Sequence, residues 1–132
     1  MENTLRINGV KRIEVNDDGD CITIPVGDDS FLRGFYEALD DIQKAAASVK
    51  IDGDDILVAM DTVIDFDRQT SEKVDGLFGE GTCRKVFGDG VLPGLEMILE
   101  FFAAVVPYLE EYRKDRAAAL GKYSAARRGS SV

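Results

Sequence analysis

Leu5-Arg6-Ile7-Asn8-Gly9-Val10-Lys11-Arg12-Ile13-Glu14-Val15, then Asn16-Asp17-Asp18-Gly19-Asp20, then Cys21-Ile22-Thr23-Ile24-Pro25-Val26: this stretch decides the fold class. Apolar residues alternate at Leu5 and Ile7 and again over Val10, Ile13 and Val15, the pattern of strands with one buried face. Asn8-Gly9 separates the two runs, and Asn-Gly suits the two positive-φ positions of a type I′ hairpin turn. The Asn16–Asp20 cluster is a second turn signal. Residues 4–26 therefore read as a β-ribbon of two or three short antiparallel strands. A ribbon this small is marginal by itself and must lean on helices.

The helices follow at once. Asp28-Asp29-Ser30 supplies N-cap side chains, and Phe31, Leu32, Phe35, Tyr36, Leu39, Ile42 and Val49 recur at helical spacing. Their spacing predicts an amphipathic helix over about 29–49. Ile51-Asp52-Gly53-Asp54-Asp55 breaks and recaps the chain. Ile56, Leu57, Met60, Val63, Ile64 and Phe66 then form a second apolar face, with Val74, Leu77 and Phe78 resuming it. The polar stretch Asp65–Thr70 is expected to kink or interrupt that helix.

Leu77-Phe78-Gly79-Glu80-Gly81 is echoed nine positions later by Val86-Phe87-Gly88-Asp89-Gly90. Each half has the form of a last helical turn, with an inward aromatic ring and a glycine at the left-handed C′ position. Thr82 is placed to cap a short helix, Cys83–Phe87. The last helix is expected from about Pro93 to Ser124, with a kink at the internal Pro107. The fold class is thus α+β: a small N-terminal antiparallel sheet followed by a mainly α-helical bundle with a long C-terminal helix. One domain spans residues 1–124, and Ala125–Val132 reads as a basic disordered tail.

Composition narrows the function. With 132 residues, 45% hydrophobic and 31% charged, the chain suits one ordinary globular core. No run approaches the ~20 apolar residues of a membrane span, and Met1-Glu2-Asn3-Thr4 lacks the start of a signal peptide. A cytoplasmic protein with reduced, separate thiols at Cys21 and Cys83 is expected. Residues 113–132 carry six bases against one acid, +5, so the other 112 residues, with 10 bases and 24 acids, carry −14. An acidic body repels phosphate backbones, which argues against a nucleic-acid partner. The basic end could meet a polyanion or an acidic protein surface.

Enzyme signatures are sparse. Histidine, the commonest general base and metal ligand, is missing. Two distant cysteines without it do not make a zinc site, and no serine has nucleophile-elbow context. Asp17-Asp18-Gly19-Asp20 and Asp52-Gly53-Asp54-Asp55 lack the ligand spacing of a calcium loop and read as turns and caps. Phe-Gly-Glu-Gly and Phe-Gly-Asp-Gly lack the lysine of a phosphate loop. Asp61, Asp65 and Asp67 read as a solvated helix face rather than a carboxylate pair for acid–base work. No catalytic residue, metal or cofactor is expected.

What remains is an excess of apolar surface on the last helix, whose band at Phe101-Phe102 and Val105-Val106 is wider than one buried stripe. That band is either central to the core or meets a partner, and the two roles are compatible. The candidate partner-binding residues are Phe101, Phe102, Val105, Tyr108, Leu109 and Tyr112.

Ile7-Asn8-Gly9-Val10, the strand ending at Ile24-Pro25-Val26 before Phe31, the block from Leu77 to Gly88, and Phe101-Phe102 with Pro107-Tyr108 give the chain a family resemblance. So does the ending Leu120-Gly121-Lys122-Tyr123-Ser124 before Arg127-Arg128. The chain resembles small tail proteins of long-tailed phages and prophages of Gram-positive bacteria that look like tail assembly chaperones. The resemblance implies a non-enzymatic, self-associating protein of the bacterial host cytoplasm. Its partner would be the tape measure protein, coated until tube subunits polymerise around it, or another tail protein. A minor tail or connector protein retained in the virion is the alternative role. No site residue is carried over from the resemblance.

Overall fold

The computed structural model describes residues 8–49, 53 and 55–130, with side chains placed as far as Gly121. Two strands, β1 (Lys11–Glu14) and β2 (Cys21–Ile24), precede four helices. These are α1 (Asp29–Ser48), α2 (Ile56–Phe78), α3 (Thr82–Phe87) and α4 (Leu95–Ser130). The α+β class, with a small sheet leading a helical bundle and a long last helix, is as expected.

β1 and β2 pair antiparallel, Ile13 facing Ile22 and Arg12 facing Thr23. The period-2 pattern turns Ile22 and Ile24 into the core and leaves Arg12, Glu14 and Thr23 in solvent. The hairpin turn is the second of the two expected. Gly19 takes φ 86°, and Asn16 Oδ1 accepts from the backbone N–H groups of Asp18 at 2.9 Å and Asp20 at 3.1 Å. Gly9 does not have the positive φ a type I′ turn requires. Its carbonyl instead accepts from Gly27 N–H at 2.8 Å, so Gly9 ties the start of the described chain to the turn between β2 and α1. The expected strand at Leu5–Ile7 lies outside the described residues.

α1 begins where Asp28 accepts from the N–H groups of Ser30 and Phe31. It buries Phe31, Phe35 and Ile42 against α2 and α4. α2 runs unbroken through Asp65–Thr70, against the expected interruption. The Thr70 hydroxyl donates back to the Phe66 carbonyl at 2.9 Å, which lets a polar residue sit buried inside a helix. Gly79 and Gly88 end α2 and α3 with positive φ, as their spacing implies, but in an extended form (φ 120°, ψ 148° and φ 110°, ψ 157°) rather than the left-handed helical one. This region is open essentially to glycine alone.

α3 is not capped by Thr82, whose hydroxyl donates to the Gly79 carbonyl. The cap arrives from α2: Asp75 accepts from Cys83 N–H at 2.9 Å and Gly81 N–H at 3.3 Å. α4 starts two residues after Pro93 and continues through Pro107. α4 is drawn through residue 130. Ala117–119 have the highest helix propensity.

The core joins the sheet to all four helices. Its aromatic centre is one network: Phe35 meets Phe102 at 4.9 Å between ring centroids, and Phe78 meets Phe31 at 5.5 Å. The two Phe-Gly halves converge on one ring, since Phe78 and Phe87 lie 4.9 and 6.0 Å from Phe101.

Candidate functional site

Between the hairpin and α4 runs an open groove of about 420 Å³. Along α4 its wall is Met97, Glu100, Phe101, Ala104, Val105 and Tyr108, a single i, i+3, i+4, i+7, i+8, i+11 stripe. The facing wall is Ile13 and Val15, with Ile22 and Ile24 beneath, and Val86 and Phe87 of α3 close one end. The lining's charged residues, Glu14 and Glu100, are both acidic and both exposed. Such a trough, apolar in its floor and acidic at its rim, has the form that receives an apolar helix face.

The hairpin holds its position through Asn16, whose amide donates to Asp20 at 2.8 Å and to the Lys85 carbonyl of α3 at 3.1 Å. At the other end Tyr112 fills the space beside the Gly9–Gly27 contact. A Cβ on Gly27 would come within 3.0 Å of the Tyr112 hydroxyl and of Gly9 Cα.

The six residues nominated from sequence divide. Phe102, 1% exposed, and Leu109 are buried in the chain's own core. They pack against this chain rather than offering a docking surface, because a neighbouring α4 stripe carries them inward. Phe101 and Val105 are also buried but reach the groove floor, and Tyr108 is exposed on its rim. Tyr112 lines separate hollows near Arg116, off the groove. The contributions of Met97, Glu100 and Ala104 were readable from the α4 spacing. Those of Ile13, Val15, Val86 and Phe87 depend on tertiary packing that one strand or helix pattern does not specify.

A second apolar surface was missed. The first two turns of α2 expose Ile56 and Leu57, each at 72%, together with Val58 and Met60. Helical spacing implies an apolar face there but does not say whether a neighbour covers it.

The titratable groups do not converge. Asp61 and Asp65 are exposed while Asp67 is buried, and burial raises Asp67's pKa above the ordinary aspartate value. The Cys83 thiol is pushed up to about 12, first by burial and then by the nearby Asp75. Cys21 and Cys83 are both free. Among the described residues no three histidine, cysteine or acidic side chains are grouped to hold a metal ion. Asp17 and Asp18 belong to the hairpin turn; Asp52 and Asp54 lie outside the described residues. No helix among the described residues is long and apolar enough to cross a membrane.

A family model matches residues 19–131, from the hairpin turn through β2 and all four helices. The chain belongs to DUF6673, a family of unknown function. The DUF6673 match takes in the α3 and α4 walls of the groove and β2, and begins after β1. No curated protein and no solved structure matches the chain.

Proposed function

We propose that this is a non-catalytic, cytoplasmic protein of tail assembly chaperone type, which holds an apolar-faced helical segment of a phage tape measure protein in the groove between the hairpin and α4. The observation that carries the reading is the groove itself: a continuous apolar trough with exposed side chains at Met97 and Tyr108 and acids at its rim. A long tape measure segment with apolar stripes docks by inserting anchors at helical spacing. Glu14 and Glu100 favour basic residues flanking those anchors and disfavour acidic ones. The resemblance of the Phe-Gly repeat and of α4 to phage tail proteins supports a tape measure protein as the partner.

The test is co-expression with a tape measure protein of a long-tailed phage of Gram-positive bacteria. The wild-type chain is expected to keep that partner soluble and to co-purify with it. An Ala104→Arg, Tyr108→Glu chain, altered only at exposed groove positions, should fold normally and lose the complex. Retention of full binding by this double variant contradicts the groove as the site. Finding the chain in purified particles would instead favour a connector role in the virion.

A further inference from the structure

The acidic-rimmed groove and the basic half of α4 occur on one chain, and α4 is a single helix from Leu95 to Ser130. The groove wall ends at Tyr108, while Arg113, Lys114 and Arg116 are exposed on the stretch that follows. Residues 113–132 carry +5 against −14 on the rest. The basic half follows the groove's own wall along the same helix, and none of its residues lines that groove.

We propose that, before a partner arrives, each groove is covered by the basic C-terminal half of α4 from a second copy of this chain. The inference rests on the groove being the binding site and names what regulates it. Lengths agree: at 1.5 Å per residue, residues 113–130 span about 27 Å, more than the roughly 17 Å from Met97 to Tyr108. Charge agrees as well, because the inserted segment has one acid, Asp115, and faces Glu14 and Glu100. Its Ala117–Ala119 run keeps the helix slim enough to approach the groove, and Leu120, exposed at the end of that run, supplies an apolar anchor. Arg116 has a partial restraint within its own chain, a 3.2 Å ion pair to Asp29, so Arg113 and Lys114 are the other bases among the described side chains of the segment. Partner binding then requires displacing the helix end, and self-assembly and partner binding compete.

Charge exchange tests this in the full-length chain by sedimentation at low and high salt. Arg113→Glu/Lys114→Glu in one chain, and Glu14→Lys/Glu100→Lys in another, alter only exposed side chains. Wild type is expected to self-associate at low salt, and each variant alone to associate at least tenfold more weakly. Mixing the two variants should restore association, since each then offers a charge opposite to the other's. A monomeric wild type, unchanged variants or a mixture that stays apart would overturn the proposal. A tape measure helix separates this from the binding function. The Arg113→Glu/Lys114→Glu chain should bind it at least as tightly as wild type, whereas groove-altered Glu14→Lys/Glu100→Lys should bind it more weakly. Self-association without helix binding contradicts the chaperone reading alone, and helix binding by a strict monomer contradicts the exchange alone.

Discussion

The Asn16 side chain makes four hydrogen bonds: its oxygen accepts from Asp18 and Asp20 N–H, and its amide donates to Asp20 and to the Lys85 carbonyl. It both shapes the hairpin turn and holds the hairpin against α3, which sets one wall of the groove. Asn16→Ala leaves the Lys85 carbonyl unpaired and should cost about 1–3 kcal/mol by denaturant melt; an unchanged midpoint would contradict that role. Gly79 and Gly88 carry backbone angles that only glycine adopts without strain. Gly79→Val or Gly88→Val should each cost about 1–3 kcal/mol, and parent-like melting of both would show the turns are not so constrained.

Asp67 has the opposite effect. Its raised pKa means the native state holds the proton more tightly than the unfolded chain. Its contribution to stability therefore falls as pH rises from the ordinary value of 3.8 through the raised one. Asp67→Asn is expected to melt no lower than the parent at pH 7, with any advantage gone below pH 3.8. A large loss at pH 7 would mean the carboxylate is engaged as an ion. Cys83, with its thiol near 12, should resist alkylation in the native protein at neutral pH while reacting in denaturant.

Among the elements, α4 has the most functions. One stripe, with Ile98, Phe102 and Leu109, closes the core; a neighbouring stripe from Met97 to Tyr108 walls the groove; residues 113–121 are exposed. Phe102→Ala removes a ring that contacts Phe35 and Phe78 and should destabilise the fold by about 3–5 kcal/mol. A milder loss, with partner binding abolished, would place Phe102 at an interface instead. The wide apolar band of α4 was legible in the sequence, as were the caps at Asp28 and Asp55 and the inward rings of the Phe-Gly repeat. Which part of the band faces solvent was not, because the opposite wall is a hairpin whose approach depends on the long-range Asn16–Lys85 bond. Thr82 was misread as a cap for a similar reason: Asp75, eight residues before Cys83, takes the role through a turn that local spacing does not reveal. The unbroken α2 shows the bias of reading a polar stretch as a break when a back-bonded Thr70 keeps the helix going.

Taken as one body, the described residues present the groove, the exposed start of α2 and a charge asymmetry along the chain. The groove is concave and lies between elements; the start of α2 is a convex helix end with Ile56 and Leu57 in solvent. Exposed apolar surface is a candidate for contact, and among the described residues the groove combines a concave shape with acidic residues at its rim. The most direct measurement is amide hydrogen exchange of the full chain, alone and with a tape measure helix. New protection should fall on β1, β2 and residues 97–108 of α4, with α2 from Ile56 to Met60 unchanged. Protection confined to the start of α2, with the hairpin and α4 unaltered, would contradict the groove as the place where this protein holds its partner.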